Sequence, residues 1–218
     1  MAEAKTVLKS KPRASKTRKR TRIQAEKEDQ ILEAALDVFS KHGFRGATID
    51  QIAENAGLSK PNLLYYFRTK ETIHRKLLDE LLENWLAPLH EINPEGEPLA
   101  EIKAYICRKL ELARDYPRES RLFANEILQG APRIADELQD LKKLVNEKSK
   151  VFEGWIADGK LAKCDPHHLF FSIWATTQHY ADFDTQVCTI LGDADKCDNR
   201  FEEAAKFLDQ LFVQGLRP

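Results

Sequence analysis

From Asp29 onward apolar residues recur at three- and four-residue spacing, and no stretch sustains an alternation of apolar and polar positions. That period belongs to amphipathic helices, so the chain is expected to be all-α. Ile31, Leu32, Ala35, Leu36 and Phe39 form the stripe of a first helix over about 29–42, with Gly43 as its breaker. Thr48-Ile-Asp-Gln51 has the capping-box pattern, in which the hydroxyl accepts from a backbone N–H one turn on and the glutamine reaches back. A short second helix starts there, turns Ile49, Ile52 and Ala53 inward and stops at Gly57, with Leu58 plugging the turn. Ser59 then caps a third short helix that runs to about Phe67, with Pro61 in the first turn where its missing N–H costs nothing.

Lys70 opens a long helix in which Ile73, Leu77, Leu78, Leu81, Leu82, Trp85 and Leu86 make two adjacent apolar rows, until Pro88 ends or bends it. Turn residues mark Asn93-Pro-Glu-Gly-Glu-Pro98 as a loop, and helices follow at about 99–114, 118–129, 134–157, 166–191 and 199–215.

The hydrophobic content of 42% suffices for a packed core. No apolar run approaches the roughly 18 residues of a membrane span, and the basic start does not read as a signal peptide, so a cytoplasmic location is expected. Cys107, Cys164, Cys188 and Cys197 are widely spaced with no C-x-x-C pair, and are expected to be free thiols. The net charge of −1 hides an asymmetry: residues before Asp29 carry +7 and the remainder −8. A basic segment of that kind, 1–28, cannot bury apolar surface; it is expected to be disordered until a polyanion orders it.

Two short helices joined by a tight glycine turn, at 48–67, have the layout of a helix-turn-helix, whose second helix enters the major groove of DNA. On that helix Lys60, Asn62 and Leu63 are expected to face outward, followed by Tyr65 and Tyr66. Asn62 can pair bidentately with adenine, Lys60 can reach guanine acceptors or phosphate, and Leu63 can touch a thymine methyl. Tyrosine hydroxyls suit phosphates, although Tyr65, Tyr66 and Phe67 can also be read as a packed aromatic cluster. Thr48, Ser59 and Lys70 stand at helix starts, where backbone N–H groups and positive charge set the register on the phosphate rails. The basic tail then reads as an arm along the phosphates or in the minor groove.

The segments Ile31-Leu-Glu-Ala-Ala-Leu-Asp-Val-Phe39, Gly43-Phe44, Ala47-Thr-Ile-Asp-Gln-Ile-Ala-Glu-Asn-Ala-Gly-Leu-Ser59 and Leu64-Tyr-Tyr-Phe-Arg-Thr-Lys-Glu71 resemble the signature of the TetR family. Trp85-Leu-Ala-Pro-Leu89, Lys109-Leu-Glu-Leu-Ala-Arg-Asp-Tyr-Pro117, Ser120-Arg-Leu-Phe123, Gly130-Ala-Pro132 and Ile173-Trp-Ala-Thr-Thr-Gln-His-Tyr-Ala-Asp-Phe183 resemble the branch of that family that governs pyrimidine utilisation. The resemblance implies a DNA-binding domain at 29–74 and an effector-binding and dimerisation domain at 75–218. It further implies a homodimeric repressor on a palindromic operator, released by uracil or thymine, with no cofactor and no catalysis. The last two helices, rich in Phe170, Phe171, Phe201, Phe207, Leu211 and Phe212, would form a four-helix bundle across the two-fold axis. The long basic tail and the segment from Gly192 to Asn199 depart from the pattern.

Trp174, Gln178 and Ala181 or Asp182 recur on one side of their helix. A carboxamide offers a donor and an acceptor to the C=O, N–H, C=O edge of uracil while Trp174 stacks on the ring; Trp85, Phe123 and Tyr180 complete the expected site. Trp174 as core and Gln178 in a dimer seam is the other reading of the same residues. His179 with Asp182, or His167-His168, lacks further ligands at matching spacing, so no metal is expected. Two rivals stay open: a regulator of the same family answering to a lipid or drug, and a small helical enzyme acting on pyrimidines.

Overall fold

The computed structural model describes residues 22–218. The basic tail up to Thr21, with its expected role as an arm, lies outside the described residues. Among those described, every regular element is helical and no strand occurs. The first helix, α1 (Arg22–Gly46), begins seven residues before Asp29, because Arg22 pairs with Glu26 (2.8 Å) and Lys27 with Gln30 (2.8 Å) along its surface. Residues 22–28, expected to belong to the disordered arm, are therefore helical. Gly43 breaks the run with φ 63° and ψ 175°, a conformation that favours glycine.

The next two helices, α2 (Ile49–Asn55) and α3 (Lys60–Tyr66), are each only seven residues long and depend on their caps and on α1. Gln30 Nε2 donates to the Ala56 carbonyl (2.6 Å), and Asn55 Nδ2 donates to that of Ala34 (3.2 Å). The long α4 (Lys70–Glu91) continues through Pro88, and Lys148 Nζ then donates to the terminal carbonyls of His90 and Ile92, both at 3.0 Å. Its first half, Ile73 to Trp85, packs into a core shared with α1–α3; its end, at Leu89, joins a second core in the C-terminal body. One helix thus spans both cores.

That body comprises α5 (Pro98–Asp115), α6 (Pro117–Leu128), α7 (Ala135–Ala157), α8 (Pro166–Asp182), α9 (Asp184–Leu191), α10 (Ala194–Asp198) and α11 (Arg200–Leu208), extended by a π turn at Asp209–Val213. The helix expected over 166–191 is two, because Phe183 at φ −119° and ψ 33° breaks it. Between α9 and α11, Asp193 caps the one-turn α10, and Cys188 is bonded to Cys197. Only Cys107 and Cys164 are free, which corrects the expectation of four free thiols. The cause is the fold-back after Gly192, in the αL conformation, which brings the two Cα atoms to 5.0 Å. Among the described residues no helix is long and apolar enough to cross a membrane.

Candidate nucleic-acid interface and effector cavity

The α2–α3 unit is set by local chemistry. Thr48 Oγ1 accepts from Gln51 N (3.2 Å) while Gln51 Oε1 accepts from Thr48 N (2.8 Å), completing the capping box expected there. Gly57, at φ 62°, makes the turn, and the Leu58 amide donates to the Ala53 carbonyl (2.9 Å). Ser59 Oγ caps α3 by accepting from Asn62 N (3.4 Å). Outward on α3 stand Lys60, Asn62 and Tyr65, the last 70% exposed; Tyr66 is half-buried and meets Tyr65 edge-on at 5.2 Å.

Two residues expected on this face lie elsewhere. Leu63 is fully buried with Phe67, one turn on, and plugs α3 into the core with Ile52 and Ala53. Outward and inward positions on a seven-residue helix differ by one residue, and apolar burial decides the register. The Lys70 ammonium is drawn inward: Nζ donates to the carbonyls of Phe44 and Ala47, both at 2.7 Å, and sits 4.4 Å above the Phe44 ring. Lys70 thus closes the loop after Gly43, and its charge is not presented outward; Thr48 and Ser59 remain exposed. Lys60 pairs with Asp50 across the turn at 2.9 Å, with both side chains more than half exposed.

The second site is a cavity of about 320 Å³ inside the C-terminal body, within the size range of small-molecule pockets. It gathers Trp85 from α4, Phe123 from α6, and Trp174 and Gln178 from α8. Leu82, Leu86 and Leu89 on one side and Ile127, Leu138 and Leu141 on the other make the remaining wall apolar. Tyr180 is not there: two residues beyond Gln178 it points to the far side of α8 and packs on Phe201 at 6.1 Å.

Two polar residues that sequence reasoning passed over also line the cavity. Tyr105 Oη accepts from Trp174 Nε1 at 2.6 Å, fixing the indole, and burial raises the phenol's pKa. Lys109, one turn along α5, is 3% exposed, with Nζ 4.7 Å from the centre of the Trp85 ring. Burial lowers its pKa to about 7, against the pull of Asp182. Burial raises the Asp182 carboxyl in turn, opposed by the hydrogen bond from Ser120 Oγ at 2.6 Å. The Trp85 indole N–H is buried with no hydrogen-bond partner among the described residues. The available signal was Tyr105 and Lys109 standing at i, i+4 within the apolar stripe of Ile102, Ile106 and Leu110.

The two sites are physically joined. α6, which brings Phe123 and Ile127 to the cavity, packs along α1, and Arg118 Nη2 meets Glu33 Oε1 at 2.7 Å. Beyond α6 the Arg133 guanidinium lies 3.5 Å above the Phe44 ring, held by the buried Glu126 carboxylate (3.0 Å), while Arg75 binds the Arg133 carbonyl and Glu137. His74 is buried between Phe39 and Phe44, at 4.8 and 4.9 Å, and burial, reinforced by Arg133 and Lys70, lowers its pKa to about 4. Among the described residues no group of His, Cys, Asp or Glu is placed to hold a metal ion.

Comparison with known proteins bears on both sites. Residues 31–77 match the family described as bacterial regulatory proteins, tetR family, and residues 78–218 match the YcdC-like protein, C-terminal region. The chain is 49% identical over 203 residues to the HTH-type transcriptional regulator RutR of Escherichia coli K12, covering 93% of this chain and 96% of that one, and equally to that of Shigella flexneri. In fold it is similar to the ketosteroid transcriptional regulator KstR2 of Mycobacterium tuberculosis, with a TM-score of 0.70 at 19% identity over 88% of this chain and 95% of that one. A TetR-like regulator from Rhodococcus sp. RHA1 gives a TM-score of 0.65 at 20% identity, over 88% and 96% of the two chains. With a matched family model over each of its two parts and a relative at 49% identity along almost its whole length, the chain belongs to the TetR family of DNA-binding transcriptional regulators.

Proposed function

We propose that this regulator represses genes of pyrimidine catabolism and leaves a palindromic operator when uracil or thymine fills the cavity. The observation that carries the reading is the juxtaposition of Trp85, Trp174 and Gln178 with Tyr105 and Lys109 in one mostly apolar cavity. Aromatic faces accommodate a flat ring, and the Gln178 carboxamide meets an imide edge with one donor and one acceptor. Lys109 supplies a further donor for a second carbonyl. Such a site rejects analogues that leave its polar groups unpaired, and a cavity of about 320 Å³ suits a single ring better than a long acyl chain.

DNA reading falls to residues 29–74, with Asn62, Lys60 and Tyr65 outermost, and effector binding and dimerisation to residues 75–218 of this cytoplasmic homodimer. Phe171, Phe207 and Leu211, each at least half exposed, form the apolar face of α8 and the last helix that a second copy would cover. Release is a population shift: the ligand binds better to a dimer whose recognition helices no longer match grooves one DNA turn, about 34 Å, apart. Trp85 on α4 and Phe123 on α6 touch the ligand, and both helices reach the head.

Calorimetric titration with uracil and thymine tests the reading, beside gel-shift release of the operator. Saturable binding to the wild type, lost in Gln178→Ala and Trp174→Ala, is the expected result. A wild type that ignores both bases removes the pyrimidine assignment, whereas a Gln178→Ala variant that binds them normally removes only the role given to Gln178; either leaves the family membership untouched.

A further inference from the structure

Cys188 and Cys197 differ from the other two cysteines in their pairing and in the charge beside them. They are paired across α9 and α10, with nine residues of sequence separation and Cα atoms 5.0 Å apart. Cys107 and Cys164 are free, and burial raises both of their pKa values, which disfavours the thiolate. Beside Cys197 lies the Arg200 guanidinium, 3.8 Å from its sulfur and donating to its carbonyl at 2.7 Å. A fixed positive charge at that distance favours the thiolate once the pair is reduced, against the carboxylates of Asp193, Asp195 and Asp198 in the same turn. The flanking residues Asp193, Ala194, Asp195, Lys196, Asp198 and Asn199 are exposed and mostly charged, so small solutes reach the pair from α10.

The neighbourhood gives the pair something to control. α9 carries Val187, Ile190 and Leu191 into a broad apolar groove whose opposite wall includes Tyr180 and Phe207. Ile190 is 76% exposed and Phe207 58%, so this groove continues the apolar face of α8 and the last helix. Apart from the disulfide, the turn from Gly192 to Asn199 is held by the Asp193 cap, the Arg200 bond to the Cys197 carbonyl and single-turn backbone bonds, such as Cys197 N to Asp193 O at 3.0 Å.

We propose that Cys188 and Cys197 form a reversible thiol–disulfide site, oxidised by hydroperoxides, that stiffens the α9–α10 rim of the exposed apolar face. In the forward step the Cys197 thiolate attacks the terminal oxygen of the hydroperoxide. An S–O bond forms, the O–O bond breaks, and the departing oxygen takes a proton to leave as an alcohol or as water. Cys197 is then a sulfenic acid. The Cys188 thiol attacks its sulfur, the S–S bond forms, and the sulfenic oxygen leaves as water with the thiol proton. Two thiols are oxidised and one peroxide is reduced; a small dithiol reverses the change by exchange.

The test uses the full-length protein, fully reduced, exposed to hydrogen peroxide or to cumene hydroperoxide, then alkylated and weighed. Two of the four thiols are expected to become unavailable, both mapping to Cys188 and Cys197, and dithiothreitol is expected to restore them. Trypsin cleavage after Lys196 is expected to be on the order of tenfold faster in the reduced protein, because the rim opens more often. Arg200→Gln should slow oxidation several-fold at unchanged far-ultraviolet dichroism, with Arg200→Lys retaining most of the rate. The proposal is overturned if all four thiols stay alkylatable after peroxide, if Cys107 or Cys164 is consumed first, or if dithiothreitol leaves the native pair intact. Equal trypsin rates in the two states would overturn the stiffening. None of these readouts involves uracil or the operator, so their failure is separate from failure of the effector reading.

Discussion

The α2–α3 face and the Trp85–Trp174 cavity are built in opposite ways. The turn and caps that shape the first lie within about twenty positions of chain, braced on α1 through Gln30 and the Ala34 carbonyl, and its outward side chains stand in solvent. The second draws on α4, α5, α6, α7 and α8, and its titratable groups, Tyr105 and Lys109, are buried, with pKa values moved by desolvation. A face of the first kind can change its outward residues at little expense in stability. In the second kind function and stability are coupled, because Tyr105 and Lys109 are held in place by the packing that also shifts their ionisation.

The sharpest way to break this contrast is Leu63→Ala. Leu63 belongs to α3 but is fully buried, so its truncation is expected to cost about 2–5 kcal/mol, the range for a large core side chain replaced by alanine. Urea denaturation of the variant measures it. A loss below about 0.5 kcal/mol would mean that Leu63 faces outward and that α3 does not draw its stability from the core beneath it.

The same residue shows how much was legible beforehand. Thr48, Gly57 and Ser59 announce the helix-turn-helix because caps and positive-φ turns are local, and all three occupy the expected positions. The orientation of α3 was not legible: within seven residues, both Leu63 and Leu64 satisfy an apolar stripe, and only packing on Ile52 and Ala53 selects the first. In the cavity, Trp174 and Gln178 share one helix and so share a readable spacing, whereas Lys109 and Tyr105 reach them only through the packing of α5 on α8. Tyr180 was placed wrongly for a related reason, since two helical steps turn a side chain to the opposite face. The link from Cys188 to Cys197 depends on the break at Phe183 and the turn at Gly192.

At the junction of the two regions, His74 supplies a test by pH. Its folded pKa of about 4 is below its usual value, so as pH falls the unfolded chain takes up the proton first. Stability from this group is therefore intact above pH 6.5 and lost progressively between 6.5 and about 4, on the order of 3 kcal/mol in all. His74→Leu should flatten that part of the stability profile relative to wild type, with Phe39, Phe44, Arg133 and Lys70 still around the site. Parallel profiles for the two proteins would show that the imidazole meets water and that the junction opens.

Asn62→Ala asks whether the exposed face reads bases. Loss of a bidentate base contact is expected to weaken operator binding by about 1–3 kcal/mol and to relax preference at one position. Its melting temperature should be unchanged, because only the Asn62 backbone takes part in the cap. A uniform loss over all sequences, or a lower melting temperature, would move Asn62 from reading to support.

The smallest expected effect is the most selective test of the contrast. Asp50 stands in the first turn of α2 and holds Lys60 at 2.9 Å in an exposed pair, a class of interaction worth about 0–1 kcal/mol. Asp50→Asn should therefore leave stability nearly unchanged, its only other loss being a favourable charge near a helix start. For DNA the change has the opposite sign: a carboxylate that repels phosphate is gone and the Lys60 ammonium is released toward it. Operator affinity should rise a few-fold at low salt, the advantage shrinking as salt screens the freed charge. Fluorescence anisotropy across a salt series gives both numbers. If affinity falls instead, the Asp50–Lys60 pair orients Lys60 for binding, and even the exposed face depends on positioned partners as the cavity does.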